Sequence, residues 1–160
     1  IVHRLDLDTS GLVILSLSKP SVSAMNRLFR ERVIKKTYTA LVNGLVTEDT
    51  GSIDFPLAAD PIDRPKQRLD RVSGKAALTR FEVIERCNSE TRLSLQPVTG
   101  RQHQLRLHLA LLGHPILGCD LYADETTYAK ADRLMLHSTK MMFPHPVTQE
   151  SLSLESDVPF

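Results

Sequence analysis

No stretch of this 160-residue sequence is apolar for long enough to span a bilayer, and its first residues carry neither the basic region nor the apolar core of a secretory signal. No membrane association is expected, and the cytoplasm is the expected compartment. Cysteine is scarce. The two present, Cys87 and Cys119, are too few for a disulfide framework, and neither has a Cys-x-x-Cys neighbour for redox or zinc chemistry, so both read as free thiols. Repeats, low-complexity tracts and linkers are absent, and nothing splits the chain. Net charge, at +1, carries little information by itself.

What is present is an ordinary globular composition, 41% hydrophobic and 24% charged. A chain of this length buries roughly 70% of its unfolded surface, enough for one core without staples. One domain over residues 1–160 is expected, as a monomer. Charge is unevenly spread. Arg64, Lys66, Arg68, Arg71 and Lys75 stand against the single acid Asp70, whereas Asp120 to Phe160 holds three cations and seven acids. A local basic cluster attracts phosphate backbones. A solvated loop is the plainer reading, and charge alone does not separate the two.

Apolar spacing predicts the elements. Leu12 to Leu17 reads as a buried strand, stopped by Ser18-Lys19-Pro20, which can open a helix. Met25, Leu28 and Phe29 give that helix its core stripe, with Arg27, Arg30, Glu31 and Arg32 largely outside it. Lys36 to Val42 alternates as a second strand and meets the turn signal Asn43-Gly44. Asp60 to Gly74 lacks periodicity and reads as a long exposed loop or irregular ribbon. Ala76 to Ile84 and Thr91 to Gln96 read as a hairpin around Asn88 to Glu90. Thr99 and Gln102 have capping-box spacing ahead of a helix to about Leu112, with Leu105, Leu109 and Leu112 on its core face and His103 and Arg106 together on another. Short strands are expected near Leu136 to Met142 and Leu152 to Leu154.

The stretch "HRLDLDTSGL", His3 to Leu12, packs charge against the first apolar run. Asp6 and Asp8 have the oxygen ligands for a metal, and a metal-dependent hydrolase would follow, but no further ligand motif accompanies them. Asp8, Thr9 and Ser10 suit a turn in which short polar side chains satisfy backbone groups. Asp6 also suits a catalytic carboxylate, kept ionised by an arginine. Composition does not choose among these.

Five blocks taken together do. "HRLDLDTSGL", "KKTYTALVNG" at Lys35 to Gly44, "RPKQ" at Arg64 to Gln67, "TGRQHQLRLHLALLGHPILG" at Thr99 to Gly118 and "LMLHS" at Leu134 to Ser138 resemble, in order and over nearly the whole chain, the RluA family of RNA pseudouridine synthases. The resemblance implies an α+β pseudouridine synthase fold with a mixed, mainly antiparallel sheet flanked by helices. It implies isomerisation of a uridine within RNA, with no metal or organic cofactor. By the family's pattern Asp6 is the catalytic carboxylate, Tyr38 the aromatic residue against the target base, and Arg106 the ion-pair partner of Asp6. A core tyrosine is the plainer reading of Tyr38. Arg4 resembles the residue that fills the gap left by the extruded base, by stacking its guanidinium on neighbouring bases; a surface ion pair with Asp6 or Asp8 is the alternative. Arg64, Lys66, Gln67, Arg101, His103 and Gln104 match positions on the RNA-facing side, although His103 and Gln104 equally suit capping or packing. His108, His114 and His137 read as structural, bonded to backbone.

Two departures stand out. Family members carry several dozen residues before the His-Arg-Leu-Asp block, including strands of the same sheet, so an N-terminally truncated domain is expected; an RNA-binding module without turnover is the alternative. Cys119 interrupts the usual Gly-Asp pair and displaces the acid to Asp120. Within the family, "RPKQ", "ILGCDLYA" and the short tail are nearest the branch acting on both large-subunit rRNA and a tRNA anticodon stem-loop. RNA, as an rRNA or tRNA stem-loop, is the expected partner, and a different tRNA or rRNA uridine is the alternative.

Overall fold

The computed structural model describes residues 2–160. Three long strands with internal alternation, β2 (Lys35–Asn43), β6 (Leu78–Cys87) and β7 (Glu90–Pro97), form the middle of one sheet. The hairpin of β6 and β7 turns at Asn88, whose φ of 53° suits a tight reversal. β3 (Thr50–Asp54) pairs with β6 at one edge, and β8 (Leu136–Pro144) pairs with β2 at the other. Beyond β8 lie β1 (Ser10–Gly11) and β9 (Ser151–Glu155), side by side along its length. Only β1 runs parallel to its partner. The sheet is thus mixed and mainly antiparallel, as expected.

Tyr38, Ala40 and Val42 of β2 point to the same side as Leu93 and Leu95 of β7, and α2 (Gln104–Leu111) closes over them with Leu105 and Leu109. α1 (Lys19–Arg30) covers a second cluster, Met25 and Leu28 against Ile34, Met141 and Phe143. It opens at Ser18-Lys19-Pro20 as expected, and Ser18 is its N-cap, in a reciprocal box with Ser21. β4 (Leu57–Ala59) and β5 (Gln67–Leu69) make a separate two-stranded ribbon, so the expected irregular segment is partly paired. The four-residue α3 (Glu125–Tyr128), capped by Asp124, was not foreseen; it is too short for an apolar stripe.

Two expectations are corrected. Leu12 to Leu17 forms no strand: only Ser10 and Gly11 pair with β8, although Leu12 and Ile14 pack inward while Val13, Leu15 and Leu17 stay exposed. The side chains alternate as in a strand, but the ladder to β8 ends with the Leu12 N–H on the Ser138 carbonyl at 2.9 Å, and no strand pairs with the residues after it. The helix after Thr99 starts later than its box predicts. Its N-cap is His103, left-handed at φ 52° and without a side-chain cap, because the Thr99 hydroxyl is spent on Gln104 and the Leu78 amide.

Candidate active site

Asp6 sits at the start of a turn that β1 holds against β8. Its carbonyl accepts the Thr9 N–H at 3.1 Å, and Asp8 takes the left-handed conformation at φ 69°. Gly11, at φ 102°, approaches β8 so closely that a Cβ would lie 2.3 Å from the Ser138 carbonyl oxygen. Only glycine permits that approach. Ser10 Oγ is hydrogen-bonded to His137 Nδ1 at 2.8 Å and accepts from Arg133 at 2.6 Å. Ser10 and Gly11 thus anchor the turn, whereas the bonds expected from the Asp8 and Thr9 side chains to backbone do not form: Thr9 Oγ1 is buried without a hydrogen-bond partner among the described residues. Among the described residues, no three His, Cys, Asp or Glu side chains gather as a metal site would require.

Asp6 and Tyr38 open onto the same cleft of about 960 Å³, between the first residues, the start of β2 and the segment leading into α2. Its lining holds one acid, Asp6, and seven cations: Arg4, Arg30, Arg32, Lys35, Lys36, Arg80 and Arg101. None of the seven has a carboxylate within 4.0 Å among the described residues. Burial pushes the Tyr38 phenol up; Ser138 beside it pulls the other way, and the Asp6 charge adds to the rise. Tyr38 is therefore a protonated donor at neutral pH.

Arg106 lies behind this cleft, its side chain only 2% exposed. The expected ion pair with Asp6 is corrected: the guanidinium is held by the Asp120 carboxylate and gives two N–H groups to the Cys119 sulfur at 3.3 and 3.4 Å. Burial opposes its charge, but the Cys119 sulfur and Asp120 outweigh burial and raise its pKa. Gly118 makes this possible. It is left-handed at φ 68°, and a Cβ there would fall 1.9 Å from the Arg133 carbonyl oxygen, so glycine is required where the chain brings Cys119 and Asp120 under Arg106.

His103 is 5% exposed, and its pKa is held down by burial first, with the nearby Arg106 and Arg4 adding and Asp6 and Asp120 opposing. Its Nδ1 lies 2.9 Å from the Tyr122 hydroxyl, which accepts the Gln67 backbone N–H at 2.8 Å. The phenol proton is thus free to go to His103, and burial pushes the Tyr122 pKa up to about 12. This chain ties the β4–β5 ribbon to α2. Tyr122 went unseen in the sequence, where one tyrosine in a loop gives no signal.

The sequence-predicted RNA contacts divide into three groups. Arg4 and Arg101 line the cleft, Arg4 exposed and Arg101 anchored through Nε to the Ala76 carbonyl at 3.1 Å. Arg64, Lys66 and Gln67 lie on the ribbon, outside the cleft lining, with Lys66 paired to Asp63 at 2.7 Å. His103, the N-cap bonded to Tyr122, and Gln104 take the packing alternative. At 3% exposure Gln104 donates to the Leu78 carbonyl and Thr79 Oγ1 and accepts from Thr99 Oγ1 and the Arg101 amide, which fills its donor and acceptor positions inside the protein. His108 and His114 bond backbone carbonyls of Phe55 and Asn43 as expected, whereas His137 bonds the Ser10 and Ser156 hydroxyls instead.

Residues 1–111 match the family model described as RNA pseudouridylate synthase. The chain belongs to the RNA pseudouridine synthase family. It is 48% identical over 159 residues to the Dual-specificity RNA pseudouridine synthase RluA of Pasteurella multocida, an alignment covering 99% of this chain and 73% of that protein. Identity to the RluA of Haemophilus influenzae is 45%, with the same coverage. Among solved structures, human RNA Pseudouridylate Synthase Domain Containing 1 superposes with a TM-score of 0.89 at 29% identity, over 99% of this chain and 69% of that one. As an RNA pseudouridine synthase, the chain isomerises uridine to pseudouridine within RNA.

Proposed function

We propose that residues 1–160 act as one catalytic domain in which Asp6 is the catalytic carboxylate, Tyr38 lies against the target base and Arg106 supports the site from behind. The observation that carries this reading is the cleft's lining, a single carboxylate among seven cations. RNA phosphates bring the substrate to such a cleft, and only Asp6 in it can meet positive charge at the anomeric carbon as the bond to N1 breaks. The uracil then turns, C5 bonds to the sugar, the C5 proton leaves and N1 takes one up. Tyr38 offers a flat face for the base and a protonated hydroxyl for these transfers. Asp6 and Arg106 act with opposite sign on His103 and on Tyr122, so Arg106 supports the site through these two rings without pairing with Asp6.

The substrate is a folded stem-loop of large-subunit rRNA, tRNA or both, as the branch resemblance of "RPKQ" and "ILGCDLYA" implies, and two relatives carry dual specificity in their names. Arg4 fills the space of the extruded base, and Arg64, Lys66 and Arg101 contact the surrounding backbone. Asp6→Asn abolishes product while leaving RNA affinity within about tenfold, because the carboxylate acts in the transition state rather than in docking. Turnover near wild type would remove Asp6 from this role. Mapping of modified uridines in cells lacking the gene tests the substrate: loss at both an rRNA and a tRNA site supports dual specificity, and loss at one alone refutes it.

A further inference from the structure

Lys36 stands two residues before Tyr38 on β2 and lines the same cleft. Among the described residues its ammonium has no carboxylate within 4.0 Å and no hydrogen-bond partner, although its side chain is partly buried. Its surroundings are the His3 ring, on which its charge acts, and Gly100, where a Cβ would lie 3.7 Å from Nζ. His3 cannot compensate it. The imidazole Nε2 accepts the Ile14 N–H at 2.7 Å, and the ring stacks on Phe29, so it is held as a neutral acceptor. Burial also pushes the Lys36 pKa down, as expected where water is partly excluded and no anion has replaced it.

An ammonium kept in a cleft without a counter-ion is costly, and the cost is recovered when an anion arrives. We propose that Lys36 binds a phosphate flanking the target uridine, so that β2 grips one nucleotide at two points, the base at Tyr38 and the backbone at Lys36. Two strand residues span roughly 6.6 Å, the order of the separation between a nucleobase and its neighbouring phosphate. A lysine suits this contact because a compact point charge takes a phosphate oxygen without demanding a bidentate angle. Arg30, Arg32 and Lys35 line the same cleft and add to its positive field. This role rests on the proposed use of the cleft for the target nucleotide, but not on the identity of the catalytic carboxylate.

The test is a cycle between protein and RNA, using the full chain and a short stem-loop whose modified uridine has been mapped. Three RNAs are compared: the native one, and two with a single uncharged methylphosphonate at the phosphate 5′ or 3′ of that uridine. Wild type should bind one of the two neutralised RNAs about tenfold more weakly than the native RNA, the loss expected for one charge-assisted contact. Lys36→Met and Lys36→Gln should bind the native RNA and that neutralised RNA equally, and Lys36→Arg should restore part of the discrimination. Each protein is read as a ratio between RNAs, so a variant that is only partly folded still reports. Retention of the wild-type ratio in both Lys36→Met and Lys36→Gln, or no discrimination by wild type, overturns the proposal. The ratio is measured by binding alone, so failure of Asp6 as the catalytic carboxylate leaves it untouched.

Discussion

Replacing Gln104 with leucine separates a structural keystone from an RNA contact. The side chain makes four hydrogen bonds, to Leu78, Thr79, Thr99 and Arg101, all between 2.7 and 3.0 Å. Each bond of this kind contributes about 1 kcal/mol net, and the Thr99 hydroxyl and Arg101 amide would be left with unsatisfied donors, which costs more than the bond itself. Part of the loss is offset, since the Leu78 carbonyl keeps the Val98 N–H and Thr79 keeps His108. Burying a leucine in place of the amide offsets a further part. The balance is a destabilisation of about 3 kcal/mol, or a melting temperature lowered by roughly 6–12 °C for a domain of this size. Thermal unfolding measures it directly, and RNA affinity is measured well below the variant's own transition. An affinity within about threefold of wild type, beside the lowered melting temperature, is the expected result for a residue that lines the cleft but has every polar side-chain atom bonded inside the protein. Unchanged stability together with a large loss of affinity would refute the reasoning and return Gln104 to the RNA interface.

Tyr122→Phe removes the hydroxyl between His103 and the Gln67 amide; the ribbon should loosen, raising KM for RNA several-fold and lowering stability by about 1–2 kcal/mol while kcat stays near wild type. Steady-state kinetics decide this, and an equal fall in kcat would put Tyr122 in the chemistry instead. Stability should also fall in acid before carboxylates titrate. His103 and His108 have folded pKa values held down mainly by burial, so the unfolded chain binds more protons; their contribution is complete above the unfolded value near 6.5 and is lost as pH falls through it toward the lower folded values, by up to about 1.4 kcal/mol per pH unit for each. Urea unfolding between pH 7.5 and 5 measures the slope, and a flat profile would contradict the neutral, buried state of both rings.

The sequence by itself determined whatever depends on near neighbours. The start of α1 was legible because Ser18-Lys19-Pro20 acts within three residues, and the β6–β7 hairpin was legible because alternation and a tight turn are local. The five-block resemblance carried the family, and with it the places of Asp6, Tyr38 and Arg106. Tertiary structure alone decided what those side chains meet. Arg106 turned to Asp120 rather than Asp6, because the left-handed Gly118 brings Cys119 and Asp120 beneath it. Gln104 went inward to Leu78, 26 residues away, which no spacing rule anticipates. Charge moved most. The cluster from Arg64 to Lys75 drew attention as a run, yet Lys66 faces Asp63 and Arg68 faces Asp70, whereas Arg30, Arg32 and Lys36, which look like ordinary solvent-facing cations in sequence, converge on one cleft without an acid beside them. Periodicity fixes which face a side chain occupies on its own element; which opposite charge lies within 4 Å is set by the packing of elements distant along the chain, and that information is absent from any short window of residues.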